Sequence, residues 1–304
     1  MMSRRASSVG AWLELLRVAN APTLASNAIA GAAVGLHALQ PGSAVPAGSL
    51  ALAGSGLLFI YLAGMVLNDA FDARTDSTER PGRPIPSGRV TVARAVTVGL
   101  VMLGVGGAMA GSASGPTWPI LLCALVLLYD LMHGFLPGAF LLMAGCRACV
   151  PVVAALAVCR APGGESLGWV AGGLAAYVAC VSLAARDEVR GFGTSARLGA
   201  RLVPLAALFP LGMWAFGSSS ASGWSLWLGL TASGLASVAA LLALRASRRG
   251  AARFAVPAAV GAWIGTIPLL DASACFLLDR PGLGACCVGL WAFARVLRPV
   301  FAAS

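Results

Sequence analysis

Apolar runs of about 20 residues, broken by short polar stretches at Gly and Pro, recur along the whole of the 304-residue chain. A helix needs about 20 predominantly apolar residues to cross roughly 30 Å of hydrocarbon. The pattern therefore predicts helices near 11–39, 50–70, 91–112, 117–133, 138–159, 166–186, 200–217, 224–246, 253–272 and 283–300. The connections are brief except for 71–90 and 187–199, which carry most of the loop charge. The expected architecture is a single all-α transmembrane domain over 1–304, a bundle of about nine to ten helices around a central cavity, with 71–90 and 187–199 as its functional loops.

Composition strengthens this reading. Hydrophobic residues make up 59% of the chain and charged residues 11%, far too apolar for a water-soluble domain. Every one of the 21 basic residues is arginine, and the net charge is +10. In a soluble protein that balance would point to nucleic acid, but these arginines sit between apolar runs, where they set membrane orientation and meet anionic headgroups. With the N-terminus inside, 18 arginines fall on the cytoplasmic side, Arg160 and Arg280 fall outside, and Arg147 lies within a helix. Both charged loops then open on the cytoplasmic face of a multi-pass protein of the inner (plasma) membrane. Glu14 and Arg17 interrupt the first apolar stretch, so a retained helix is expected there, not a cleaved signal. The eight cysteines lie mostly in apolar runs and read as small buried hydrophobes.

The chain holds only 11 acidic residues, yet Asp69, Asp72, Asp76 and Glu79 fall within eleven positions. If the second helix continues through them, spacings of i, i+3 and i+7 bring Asp69, Asp72 and Asp76 within about 60° of one another. Carboxylates so close repel unless a cation sits among them. A hard ion such as Mg²⁺ suits oxygen ligands and is commonly shared between carboxylates and substrate phosphates. Asn68 adds an amide beside them. Prolines stiffen the following segment, Glu79-Arg80-Pro81-Gly82-Arg83-Pro84-Ile85-Pro86-Ser87-Gly88-Arg89, whose arginines can fork onto phosphate oxygens. Carboxylate, metal and arginine together make a diphosphate cradle. The plainer alternative, a solvated loop whose arginines only set topology, leaves the ordered aspartates without a purpose.

Asn68-Asp69-x-x-Asp72-x-x-x-Asp76 followed by Arg-Pro-x-x-Pro-Ser-Gly resembles the first aspartate-rich motif of the UbiA superfamily of intramembrane prenyltransferases. That resemblance implies a UbiA-type bundle, Mg²⁺ as cofactor on Asp69, Asp72 and Asp76, and a polyprenyl diphosphate donor whose tail lies in a lateral tunnel open to lipid. The acceptor would be a lipid-phase molecule. Tyr129 at the end of the fourth helix matches the layout, and His133 stands where the family often has a lysine. The second motif corresponds to Arg186-Asp187-Glu188-Val189-Arg190-Gly191, where Asp187 and Glu188 are adjacent instead of face-aligned. The resemblance makes Asp69, Asp72, Asp187 and Glu188 the catalytic candidates, with Asn68, Arg80, Arg83, Tyr129, His133 and Arg190 on the substrate. Tyr129-Asp130, Met143-x-Gly145-Cys146-Arg147 and Asp187-Glu188-Val189-x-Gly191 are also similar to the EboC-like branch, which implies binding or export of a lipid-like metabolite.

Arg147 falls in mid-helix, where an unpaired charge costs about 2.5–3.5 kcal/mol on the lenient insertion scale. It either lines the cavity to meet a diphosphate or acceptor carboxylate, or pairs with Asp130 or Asp271. Asn20, Thr23 and Asn27 share one face of the first helix at i, i+3 and i+7; Asn20 and Asn27 are candidate cavity residues, and Thr23 suits a helix-to-helix hydrogen bond. Asp271 is either a bundle partner or a residue of the outer end.

Overall fold

The computed structural model describes residues 8–40, 43–186, 194–217, 219–249 and 252–301. Among these every regular element is a helix: α1 (Ser8–Leu16), a 3-10 turn (Val18–Asn20), α2 (Ala21–Ala38), α3 (Ala47–Phe71), α4 (Ala73–Glu79), α5 (Val92–Ser114), α6 (Thr117–Met132) and α7 (Ala139–Val158). There follow α8 (Gly164–Ala185), α9 (Thr194–Ala206), α10 (Phe209–Ala215), α11 (Gly223–Arg249), α12 (Ala252–Ile264), α13 (Ile267–Leu277) and α14 (Pro281–Phe301). Seven described segments are long and apolar enough to cross a membrane, and Thr117–Met132 and Pro281–Val296 are shorter apolar helices. The chain is an integral membrane protein. Trp118, Trp214, Trp224 and Trp227 are all exposed, as an aromatic belt requires.

Three helices that the hydropathy pattern draws as continuous are each broken. The first apolar stretch divides at Arg17, the seventh between α9 and α10, and the ninth between α12 and α13. In each case the second piece carries a proline in its first turn: Pro22, Pro210 and Pro268. Proline lacks an N–H and its ring collides with the carbonyl four residues back, so it starts a helix readily and continues one poorly. Hydropathy is blind to this, because the apolar run passes through the break. At the last of the breaks the Tyr177 hydroxyl joins the Thr266 N–H and hydroxyl at the Trp263 carbonyl, donating to it at 2.9 Å and lying 2.5 Å from Thr266 Oγ1.

Small residues let the helices approach closely. Gly56 of α3 and Gly106 of α5 face one another, and a Cβ on either would come within 2.7 Å of the other's carbonyl oxygen. In α2 a Cβ on Gly31 would lie 2.2 Å from the Pro151 carbonyl of α7. Without a hydrophobic drive between helices in lipid, such close van der Waals contact is what association rests on. Pro151 has no N–H to give the carbonyl of Arg147, so α7 is locally interrupted where it presents its arginine.

Candidate functional site

The acidic segment lies at one end of the bundle. The helical ladder runs almost unbroken through it: the Asp72 N–H donates to Asn68 O at 2.9 Å and the Asp76 N–H to Asp72 O at 2.8 Å. Asp69 and Asp76 are both buried, while Asp72, which closes α3 and opens α4, is half-buried. Above them the proline-rich loop is folded onto the bundle, with Pro84, Ile85 and Val90 buried. Ile85 and Val90 pack with Ala11 and Leu15 of α1 against Val66, Ala70 and Ala95. Arg89 locks this cover, donating to Glu14 Oε2 at 2.8 Å and to the Gly82 carbonyl at 2.8 Å.

Each carboxylate is met by a cation. Arg83 Nη1 lies 2.5 Å from Asp76 Oδ2 and 3.4 Å from Asp69 Oδ1, and Arg17 also pairs with Asp69. Asp72 has a different partner: its Oδ1 lies 3.2 Å from His133 Nε2. That carboxylate, hydrogen-bonded to the ring, raises the His133 pKa above the ordinary imidazole value and favours the charged form. Tyr129 stacks on His133 with ring centroids 5.3 Å apart, and Asn68 Nδ2 donates to Asp130 Oδ1 at 3.3 Å. Asp130 Oδ2 is buried with no hydrogen-bond partner among the described residues.

No group of three or more His, Cys, Asp or Glu side chains is gathered in metal-binding geometry among the described residues. The donor set nevertheless fits a hard divalent ion. Its oxygens are carboxylates, each compensated by positive charge, and Asp130 Oδ2 is left over.

Beneath this cluster lies a cavity of about 160 Å³ lined by Arg17, Tyr61, Asn68, Tyr129, Asp130 and Arg147, with apolar walls that include Leu24, Leu57 and Met143. Leu24 and Leu57 also line a groove of about 620 Å³ between α2, α3 and α14, which is apolar throughout and runs past Ile29, Gly54, Leu283 and Phe293. The two spaces are therefore neighbours across one layer of leucines.

Most of the residues that the sequence singles out come together here, with some corrections. Arg80 is exposed, makes no side-chain ion pair among the described residues and closes α4 through its backbone, and the partner of Asp69 besides Arg83 is Arg17. Arg17 was legible only as a charge in an apolar run; its left-handed conformation, φ 42° and ψ 46°, turns it toward Asp69. Asn20 does not share a cavity face with Asn27. It ends the 3-10 turn and is exposed, whereas Asn27 is fully buried. Asp271 is a bundle partner, with Oδ2 accepting from Ser26 Oγ at 2.6 Å and Asn27 Nδ2 at 2.7 Å. Arg147 has no direct carboxylate partner among the described residues, and its Nη1 donates to Thr23 Oγ1 at 3.3 Å and Asn27 Oδ1 at 3.2 Å. Asp187, Glu188 and Arg190 lie outside the described residues.

A polytopic bundle with paired acids and arginines closing one end of an apolar cavity is the class that the geometry defines. The UbiA prenyltransferase family model matches residues 28–263, and the chain belongs to that family. A digeranylgeranylglyceryl phosphate synthase of Methanosarcina barkeri is 33% identical over 132 residues, which are 41% of this chain and 43% of that protein. The chain thus aligns with less than half the length of this curated relative. In structure it resembles a UbiA homologue of Aeropyrum pernix solved without ligand, with TM-score 0.65 and 14% identity over 84% of this chain and 97% of that one. A UbiA homologue of Archaeoglobus fulgidus, solved with DMAPP and Mg²⁺, superposes with TM-score 0.56 and 13% identity over 86% of this chain and 99% of that one.

Proposed function

We propose that this protein transfers a prenyl group from a polyprenyl diphosphate to an acceptor within the membrane, using Mg²⁺ held by Asp69, Asp72 and Asp76. The observation that carries the reading is the pairing of those carboxylates with Arg17, Arg83 and His133 directly above the apolar cavity. Mg²⁺ on this site would make diphosphate a competent leaving group.

Arg83 then turns its guanidinium from the carboxylates to the phosphate oxygens, and the charged form of His133 adds a further donor. Tyr129 and Tyr61 line the cavity where positive charge develops on the allylic carbon, and their electron-rich rings favour that charge. The apolar walls exclude water, which would otherwise capture the carbocation. The groove past Gly54 and Phe293 is apolar throughout, as the tail of a prenyl donor needs. Asp187 and Glu188 supply a further acidic pair that helps deprotonate the acceptor or holds a second ion. The membrane orientation implied by the arginine distribution puts the diphosphate end at the cytoplasmic face.

A second reading is binding or export of a lipid-like metabolite without bond cleavage. The adjacency of Asp187 and Glu188, unlike the spaced acids of the first motif, favours it.

The test uses purified full-length protein in lipid vesicles with Mg²⁺, labelled polyprenyl diphosphates and a panel of aromatic and glycerol-phosphate acceptors, wild type beside Asp72→Asn. Diphosphate release and a prenylated product that both depend on Asp72 are expected. Mg²⁺-dependent donor binding without release would replace transfer by the binding reading.

A further inference from the structure

Behind the cavity wall three helices contribute a buried polar chain that reaches the cavity at Arg147 and that the diphosphate chemistry does not use. Asp271 of α13 is fully enclosed, and its Oδ2 is bound by Ser26 and Asn27 of α2 while Oδ1 has no partner among the described residues. Asn27 passes the contact on: its Nδ2 faces the carboxylate and its Oδ1 faces Arg147 Nη1 of α7. The amide orientation is fixed from both sides, since a flip would set oxygen against carboxylate and NH₂ against guanidinium. Arg147 and Asp271 therefore form a charge-balanced pair joined through one amide.

The guanidinium has five N–H donors. Thr23 and Asn27 both engage Nη1, so Nε and Nη2 make no hydrogen bond among the described residues, and the half-buried Arg147 opens on the cavity. A fork of N–H donors left open beside apolar and aromatic walls, in a cavity whose other charged or amide lining is Arg17, Asn68 and Asp130, is suited to a carboxylate or phosphate.

We infer that Arg147 is a second anion site, separate from the diphosphate cradle, which takes the carboxylate or phosphate of the acceptor, and that Asp271 is a positioning residue acting on it through Asn27. The acceptor role rests on the prenyl-transfer reading. Anchoring the acceptor by its anion would leave its nucleophilic end toward the allylic carbon of the donor, from which diphosphate departs. Because Asp271 offsets the arginine's charge in the empty cavity, the site is neutral overall before the ligand arrives, and the open N–H fork still selects for an anion.

The experiment titrates the full chain in detergent with benzoate, phenyl phosphate and the uncharged analogue benzyl alcohol, and separately with inorganic diphosphate plus Mg²⁺. Wild type should bind one of the anionic probes, benzoate or phenyl phosphate identifying which group the acceptor carries, and bind it in preference to benzyl alcohol. Arg147→Met should weaken the anion by about tenfold or more, the scale of a lost charged contact, and Arg147→Lys should recover part of it. Asp271→Asn keeps the size and the oxygen that faces Asn27 but removes the offsetting negative charge, so it should tighten the same probe in the wild-type background and have no effect in the Arg147→Met background. Mg²⁺ diphosphate should bind all variants alike. Anionic probes that ignore Arg147, or an Asp271→Asn variant that weakens the probe or whose effect persists in the Arg147→Met background, would overturn the inference. Failure of wild type to bind Mg²⁺ diphosphate would instead overturn the transfer reading, and that titration is read separately.

Discussion

Arg83 stands between two buried carboxylates, its Nη1 2.5 Å from Asp76 Oδ2 and 3.4 Å from Asp69 Oδ1. Carboxylates seven residues apart on a nearly continuous helix share one guanidinium, which keeps them from repelling each other. The same group is poised to exchange these partners for phosphate once a metal takes the oxygens. Arg83→Gln should therefore lower diphosphate release by roughly 10²–10³-fold, the cost of losing one preorganised donor to a developing anion. A single-turnover assay with labelled donor measures it, and a rate within a few-fold of wild type would remove Arg83 from the site.

The groove beside the cavity offers a prediction about donor length. Gly54 lines it, and a Cβ there would meet nothing within 4 Å, so a side chain fills the groove without disturbing the helix packing. Gly54→Phe should reduce turnover of long polyprenyl diphosphates strongly and that of dimethylallyl diphosphate little, as read from kcat/KM for a series of donors. Equal losses across the series would mean that the tail lies elsewhere.

The contact of α2 with α7 behaves in the opposite way. Gly31 meets backbone, not a flexible side chain, with its virtual Cβ 2.2 Å from the Pro151 carbonyl. Gly31→Val must push the helices apart, and overpacking of this kind costs about 1–3 kcal/mol. Thermal unfolding in detergent should show a lower Tm for Gly31→Val and an unchanged one for Gly54→Ala.

The acidic motif was plain in the sequence because carboxylates in so apolar a chain stand out without any knowledge of packing. Spacing then gave Asp69 and Asp76 a common face, which the shared Arg83 bears out geometrically, whereas Asp72 turns to His133. Hydropathy placed the apolar helical segments but not the breaks before Pro22, Pro210 and Pro268, since a helix can stop while the apolar run continues. The break at Arg17 is what brings that arginine to Asp69 and removes Asn20 from the cavity. Asn27 and Asp271 are 244 positions apart, and only the packing of α13 on α2 joins them. Whether Arg80 or Arg83 faces the acids was equally out of reach, because it depends on how the proline-rich loop folds under α1.

The central claim is that Asp69, Asp72 and Asp76 form a metal and diphosphate site. Paramagnetic Mn²⁺ in place of Mg²⁺ tests it without requiring any acceptor. Electron paramagnetic resonance of the full chain with inorganic diphosphate should show bound Mn²⁺ that Mg²⁺ displaces, with binding lost in Asp72→Asn and Asp76→Asn and kept in Asp271→Asn. Mn²⁺ bound equally by wild type and by the Asp72→Asn and Asp76→Asn variants would contradict the account.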